Sequence, residues 1–351
     1  MNDRIHIAAA SDLRYLPGAI GMLASLRMAL EPEVAMEVSF LHDGLADEQL
    51  ERTRRAISRI RGKTEIRFHR IEAKFAGFPD FYFPSKMVYA RLLIPELVEA
   101  ERVLYIDSDI LVLKSPLHLI SESKLATGFG AALESSRPTL ADDPPKPDSQ
   151  IRFDPAQPAF NSGFLLMDLP TIRESGLFRE ATGLLATESA SCQFWDQSAL
   201  NYAANGRFDL LPQDWNRQNH RQCLDPVESM EFISSQKINV HFVTKAKPWL
   251  SWSPFPAEAL FSMLLDAIDP ARDAVSEEKL RRRVAWKYAT AGPLSAFFKI
   301  RARFKKKPIS DLRTSVFWGQ VDTDLKRLRQ RSAEWKKLRD DWSRRIAEAM
   351  A

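Results

Sequence analysis

The chain has 351 residues, 45% of them hydrophobic, a content that suits a globular body with or without an appendage, and no run of about 18 apolar residues offers a membrane span. The net charge of +4 conceals two regions of opposite sign: residues 271–351 carry 22 Lys+Arg against 10 Asp+Glu, which leaves 28 against 36 in residues 1–270. Met1-Asn2-Asp3-Arg4 lacks the basic-then-apolar order of an export signal, so a cytoplasmic setting is expected, with Cys192 and Cys223 as free thiols.

In chain order, Ile5–Ala10 reads as a first strand ending at Ser11-Asp12, and Pro17 fits a first helical position for a helix reaching Leu30. Val34–Leu41 reads as a strand, Asp47–Arg61 as a helix with charges outward, and Glu65–Ile71 as an alternating third strand. This alternation with short turns is the pattern of βαβ units and a mainly parallel sheet. Phe75–Pro84 is aromatic and proline-rich, hence a loop, and Ser85 is placed to cap a helix from Lys86 to Leu93 ahead of Pro95.

Val103–Ile106 is fully apolar, the pattern of a strand buried on both faces, and it runs straight into Asp107-Ser108-Asp109. The carboxyl end of such a strand is where open α/β sheets bind ligands. Two acids one residue apart there can share a divalent cation, although the tripeptide by itself reads first as a turn between two strands. Gly128–Leu133 is strand-like, Ser135–Pro158 is proline-rich and aperiodic, and Phe160–Leu166 returns to strand character. Asp168-Leu169-Pro170 starts a helix, Ser198–Asn205 is helical, and Ile238–Phe242 reads as a final strand.

From about Pro270 the texture changes. Val321, Leu325, Leu328, Trp335, Leu338, Trp342 and Ile346 keep helical spacing between cations, and Phe297–Lys307 mixes aromatic and basic residues. This pattern fits either an anionic membrane surface or a helix packed on the body with solvated charges. The sequence thus divides into an acidic α/β body, residues 1–270, and a basic amphipathic helical region, residues 271–351.

Several polar pieces stand in order along the body: Ser11-Asp12 with Tyr15, Arg91, Asp107-Ser108-Asp109, Glu134, Phe160-Asn161-Ser162-Gly163, Trp195-Asp196-Gln197, and His241 with Lys247-Pro248-Trp249. This ordered set resembles glycosyltransferase family 8, the retaining enzymes that include glycogenin and the bacterial lipopolysaccharide galactosyl- and glucosyltransferases. The resemblance covers about residues 4–250. It implies a nucleotide-diphospho-sugar transferase fold of the GT-A type, with a Rossmann-like mixed sheet, a UDP-hexose donor, and Mn²⁺ as metal with Mg²⁺ as the alternative. Asp107 and Asp109 match the family's metal-binding acids and His241 its metal-binding histidine, with Ser108 between the acids against the donor. Lys247 matches the lysine that reaches the diphosphate, and Asp12 and Tyr15 match the uracil-contacting region. Arg91, Asn161, Asp196 and Gln197 match positions at the donor sugar or beside its reactive carbon, and Glu134 stands where an acid would bind sugar hydroxyls.

Each residue also has a structural alternative: Asp12 as a helix cap, Asn161-Ser162-Gly163 as a tight turn, Asp196 as a helix-start acid, Lys247 as a surface cation. Two departures stand out, Thr244 where the family often carries glycine and Leu13-Arg14 in place of a polar pair. The resemblance implies metal-dependent transfer of galactose or glucose, with retention, to a hydroxyl of a lipopolysaccharide or other glycan or glycolipid. Front-face attack is favoured over a covalent intermediate on Asp196 or Gln197, because a neutral amide is a weak nucleophile. In this reading the basic region holds the protein peripherally at the inner face of the cell membrane. The competing readings are a nucleic-acid-binding protein using that region as an arm, and a nucleotide-sugar-binding homologue without activity.

Overall fold

The structure is a computed structural model and describes residues 4–71, 74–80, 85–219, 226–244, 247–249, 253, 255–270, 286–287, 289–302 and 308–351. Cys223, the 271–285 stretch and residues 303–307 of the aromatic–basic segment lie outside the described residues.

The strands in chain order are β1 (Arg4–Ser11), β2 (Ala35–His42), β3 (Thr64–Arg70), β4 (Arg102–Ile106), β5 (Ile110–Leu111), β6 (Phe129–Leu133), β7 (Phe160–Asp168), β8 (Asp209–Leu210), β9 (Arg217–Gln218) and β10 (Val240–His241). Seven form one sheet in the order β3-β2-β1-β4-β7-β6-β8, and the other three form a small sheet in the order β5-β10-β9. β1 to β4 run parallel with one another, as the βαβ pattern predicts. β7 then enters antiparallel to both β4 and β6, so the sheet is mixed. β4 and β7 are buried along almost their whole length, which accounts for their unbroken apolar runs.

The helices of this part are α1 (Leu16–Ala29), α2 (Asp47–Ile57), α3 (Ile94–Leu97), α4 (Leu117–Glu122), α5 (Leu169–Ser175), α6 (Leu177–Glu188) and α7 (Asp196–Ala204). The helix expected over 86–93 is instead a 3₁₀ turn, Met87–Leu93, that runs on into α3. Pro95 does not end it. Proline in a first helical turn gives up an N–H that has no partner there anyway. One face of the large sheet packs Tyr89, Val103, Tyr105, Phe160, Leu165 and Met167 into a single apolar cluster.

By its contacts the chain forms two compact units, Met1–Gln218 with Ile238–His241, and Asn219–Lys237 with Phe242–Ala351. The boundary read from composition at 270 falls inside the second unit. There α8 (Pro226–Ser235) contributes Met230 to a cluster with Val321, Leu325 and Leu328. Trp342, from the last helix Ser332–Met350, is buried and donates its indole N–H to the Leu260 carbonyl of α9 (Pro256–Ile268) at 2.9 Å. The apolar stripe at 321–346 is therefore turned inward, with Val321, Leu325, Leu328, Trp342 and Ile346 all buried. Among the described residues no helix is long and apolar enough to cross a membrane.

Candidate active site

β4 delivers its chain end to the edge of the sheet, and the Asp107-Ser108-Asp109 turn is fixed there from two sides. Asp107 N–H donates to the Gly163 carbonyl of β7 at 2.8 Å, and Ser108 Oγ donates to the Ala10 carbonyl of β1 at 2.7 Å. β5 begins at the next residue and pairs antiparallel with β10, in a register that sets His241 opposite Ile110. Two short strands thus bring together side chains more than 130 residues apart.

One ligand atom each from Asp107, Asp109 and His241 lies within 4.8 Å of the others. His241 Nε2 stands 3.2 Å from Asp109 Oδ1 and 3.9 Å from Asp107 Oδ2. Its other ring nitrogen, Nδ1, is 2.8 Å from the side-chain oxygen of Asn216. An oxygen there can only accept, so Nδ1 carries a proton, and Nε2 is the nitrogen left to offer a lone pair to a metal between the two acids. Two carboxylates and a neutral imidazole form a donor set that fits Mn²⁺ better than an ion demanding oxygen alone. The space is kept open by Gly163: a Cβ there would overlap His241 Cε1 and stand 2.7 Å from Asp107 Oδ2.

Arg91 holds the first acid in place. The 3₁₀ turn buries its guanidinium, which contacts Asp107 Oδ1 at 3.0 Å, Asp196 Oδ2 at 2.9 Å and Ser162 Oγ at 2.8 Å, and donates as well to the Ser162 carbonyl. It also lies 4.8 Å over the Tyr105 ring, whose hydroxyl donates to Asp107 Oδ1 at 2.6 Å. Burial disfavours the cation, but Asp107 and Asp196 outweigh it and keep Arg91 protonated. Burial also pushes the Asp196 carboxyl up to about 7, with Arg91 opposing the shift and Asp107 adding to it.

Asp196 and Gln197 open α7 behind Trp195, a non-glycine residue at φ 54°. Such backbone costs roughly 1–3 kcal/mol and persists where surroundings enforce it. Here the Trp195 indole donates to the Asp80 carbonyl at 3.0 Å. Gln197 Oε1 accepts from Ser162 N–H at 3.1 Å and its amide faces Glu134 at 3.3 Å, while Asn161 donates to Glu134 at 2.9 Å. Arg91, Asn161, Glu134, Asp196 and Gln197 therefore converge beside the metal-type cluster.

The other expected residues are placed differently. Asp12 accepts from Tyr15 N–H at 2.8 Å, a bond to the residue that precedes α1 and not to the first turn of the helix itself. The Tyr15 phenol is held above its ordinary range by burial, then by the nearby Asp109 and Asp12 charges. Lys247 belongs to the second unit, where its ammonium is buried and donates to the Phe242 carbonyl at 2.5 Å. The sequence reading overlooked Asn216, Tyr105 and the hydroxyl of Ser162. None has a spacing that marks it, and Asn216 stands among polar neighbours, Asp214, Arg217 and Gln218, that give no sign of its burial.

A family model described as Glycosyl transferase family 8 matches residues 6–253. Among curated proteins, the chain is 21% identical over 294 residues to the lipopolysaccharide 1,2-glucosyltransferase of Escherichia coli K12, covering 80% of this chain and 84% of that protein. It is 27% identical over 166 residues to glycosyltransferase GlyF of Streptococcus pneumoniae, a match of 47% of this chain and only 38% of that longer protein. Among solved structures, the galactosyltransferase LgtC, in complex with donor and acceptor sugar analogues, superposes with a TM-score of 0.58 at 22% identity over 75% of this chain and 96% of that one. At that identity the likeness speaks for the fold, which is of the GT-A type.

Proposed function

The chain belongs to glycosyltransferase family 8, and from that membership we propose a retaining hexosyltransferase that moves galactose or glucose from a UDP-sugar to a hydroxyl of a lipopolysaccharide or another glycan, with a divalent metal, Mn²⁺ before Mg²⁺. The observation that carries the proposal is the cluster of Asp107, Asp109 and the lone-pair nitrogen of His241 at the end of β4. A divalent ion held by these three would neutralise charge on the diphosphate.

The chain's own residues supply the rest. Arg91 orients Asp107 from one side and Asp196 from the other. Asn161, Glu134 and Gln197 present a polar wall suited to sugar hydroxyls, so that positioning is the main contribution of this wall. Asp12 and Tyr15 are assigned to the base, and Lys247, from its place in Lys247-Pro248-Trp249, to the diphosphate, where a cation offsets developing charge. Front-face attack is favoured over a covalent intermediate: the Asp196 carboxylate is engaged by the Arg91 guanidinium at 2.9 Å, and the neutral Gln197 amide is a weak nucleophile.

The test is UDP release from UDP-glucose, UDP-galactose, UDP-N-acetylglucosamine and UDP-galacturonic acid, each with Mn²⁺ or with EDTA. Turnover with a hexose donor that EDTA abolishes is expected. No metal-dependent turnover or binding with any of the four would overturn the proposal.

We also propose a peripheral contact with anionic membrane, here through the helix Ala291–Ala302 and not through the inward-facing stripe. Phe297 and Ile300 are 53% and 57% exposed next to Lys299 and Arg301. Replacing Phe297 and Ile300 by serine should weaken sedimentation with phosphatidylglycerol vesicles, and unchanged sedimentation removes the contact without touching the chemistry.

A further inference from the structure

The polar groups behind His241 form a chain in which the direction of every hydrogen bond is determined. It starts at Glu134, which is buried and whose Oε1 accepts from both the N–H and the hydroxyl of Ser136, at 3.1 and 2.7 Å. Burial opposes its charge, yet the bonds from Asn161 and Ser136 and the Arg137 cation hold it below its ordinary range, so it is an ionised acceptor. Its Oε2 can therefore face only a donor, and the Asn161 Nδ2 at 2.9 Å is one.

This orientation is checked independently. The Oδ1 of Asn161 accepts from the backbone N–H of Gly163 at 3.0 Å, and a backbone N–H has no way of accepting in return. With Asn161 fixed, its Oδ1 demands a donor from Asn216, whose Nδ2 lies 2.8 Å away. That leaves the Asn216 Oδ1 facing His241 Nδ1 at 2.8 Å, so Nδ1 carries a proton and, in the neutral imidazole, Nε2 is the nitrogen free to bind a metal. Asn216 is completely buried.

We propose that Glu134, acting through Asn161 and Asn216, locks His241 in the Nδ1–H tautomer, which makes Asn216 and Glu134 positioning residues for the proposed metal ligand. The inference rests on the metal reading of Asp107, Asp109 and His241 and adds a device to it. Glu134 touches none of the three, yet together with the Gly163 N–H it fixes the Asn161 amide and so which nitrogen of His241 is available. It is also the acid that Gln197 and Asn161 share, so the wall facing the donor sugar and the lone pair facing the metal are set by one carboxylate.

Two readouts test this, and the first needs no metal. Long-range ¹H–¹⁵N spectra of metal-free protein labelled at histidine, with His241 assigned by His241→Gln, show which ring nitrogen carries the proton. Calorimetric titration with Mn²⁺ alone gives the affinity. Wild type should show protonated Nδ1. In Asn216→Leu the signature should become mixed, and Mn²⁺ should bind about 10- to 100-fold more weakly. Asn216→Asp, which keeps an acceptor against Nδ1, should restore the signature.

Glu134→Gln reads the same chain from its far end, should Asn216→Leu fail to fold. Ser136 N–H claims the new amide oxygen, so an NH₂ group is forced against Asn161 Nδ2, and the tautomer signature should again become mixed. A wild-type Nδ1–H signal with Mn²⁺ affinity within twofold in either folded variant would overturn the relay. Wild type that binds no Mn²⁺ would instead overturn the metal reading, while the spectra still decide the tautomer.

Discussion

Gly163→Ala is the sharpest single perturbation of this site. The added methyl would point into the metal-type cluster, overlapping His241 Cε1 and standing 2.7 Å from Asp107 Oδ2 and 3.0 Å from Asn161 Oδ1. Non-bonded carbon contacts settle near 3.5–4.0 Å, so the imidazole and the Asp107 carboxylate must retreat by about 1 Å. Neither is free to do so cheaply. Asp107 is held by Arg91 and Tyr105, and His241 by Asn216. Overpacking of this kind costs about 1–3 kcal/mol of stability. A displacement of about 1 Å at reacting groups costs on the order of 100-fold in rate, or about 2.7 kcal/mol of barrier.

The variant is therefore expected to fold with a modestly lowered Tm, to lose about 100-fold in kcat/KM for metal-dependent UDP release, and to bind Mn²⁺ more weakly. Gly183→Ala is the matched control. It lies within α6, a Cβ there meets nothing within 4 Å, and a helical Gly→Ala change should stabilise by up to about 1 kcal/mol without altering activity. Wild-type turnover and Mn²⁺ affinity in Gly163→Ala would refute the idea that this glycine holds the site open.

Asp109→Ala should abolish EDTA-sensitive UDP release while leaving the thermal melt within a few degrees of wild type, and residual metal-dependent turnover above about 1% would argue against its role as a ligand. Arg91→Met leaves Asp107 and Asp196 without their shared cation, so chemical denaturation should show a loss of about 3–5 kcal/mol, whereas a loss below 1 would mean the carboxylates find other compensation. Trp342→Ala removes a fully buried indole and its bond to Leu260, at a cost of about 3–5 kcal/mol, read as a lowered unfolding midpoint. Burial pushes the Cys192 thiol up to about 12, so in a Cys223→Ser background a thiol reagent at pH 8 should label nothing until the protein is unfolded; rapid labelling of native protein would contradict the buried, un-ionised thiol.

The parts of this fold legible in the sequence were those whose local pattern and final environment agree. β1, β2, β3, β4 and β7 are long enough to show their burial as apolar or alternating runs, and α1 announces itself with Pro17. β5, β8 and β9 have two residues each, too few for any periodicity, and they exist because tertiary neighbours supply their partners, whereas β10, equally short, lies inside the run read as a strand at 238–242. The last helices showed their apolar stripe plainly. What covers that stripe, Met230 of α8 and the Leu260 carbonyl of α9, could not be read from the stripe itself.

The site divides along the same line. Asp107-Ser108-Asp109 and Trp195-Asp196-Gln197 stand out as charges at strand or helix ends, whereas Asn216 is recognisable only by the hydrogen bonds it makes. Asp12 shows a different difficulty: an acid just before a helix suggests a cap, yet the N-cap of α1 is Tyr15 and the Asp12 carboxylate instead accepts from the Tyr15 N–H.

The pairing of β5 with β10 bears on when the site comes into being. Residues 4–111 already contain both acids, but the imidazole arrives only with residue 241, through a sheet of two-residue strands. Long-range closures are slow and gain little until their contacts form, so this pairing is expected among the final events of folding of its unit. A chain emerging from the ribosome would carry most of the large sheet well before it could grip a cation. Competence for chemistry would then certify a finished first unit, and a cation present during synthesis would act on a late step of its folding, holding shut a closure that two-residue strands by themselves secure weakly.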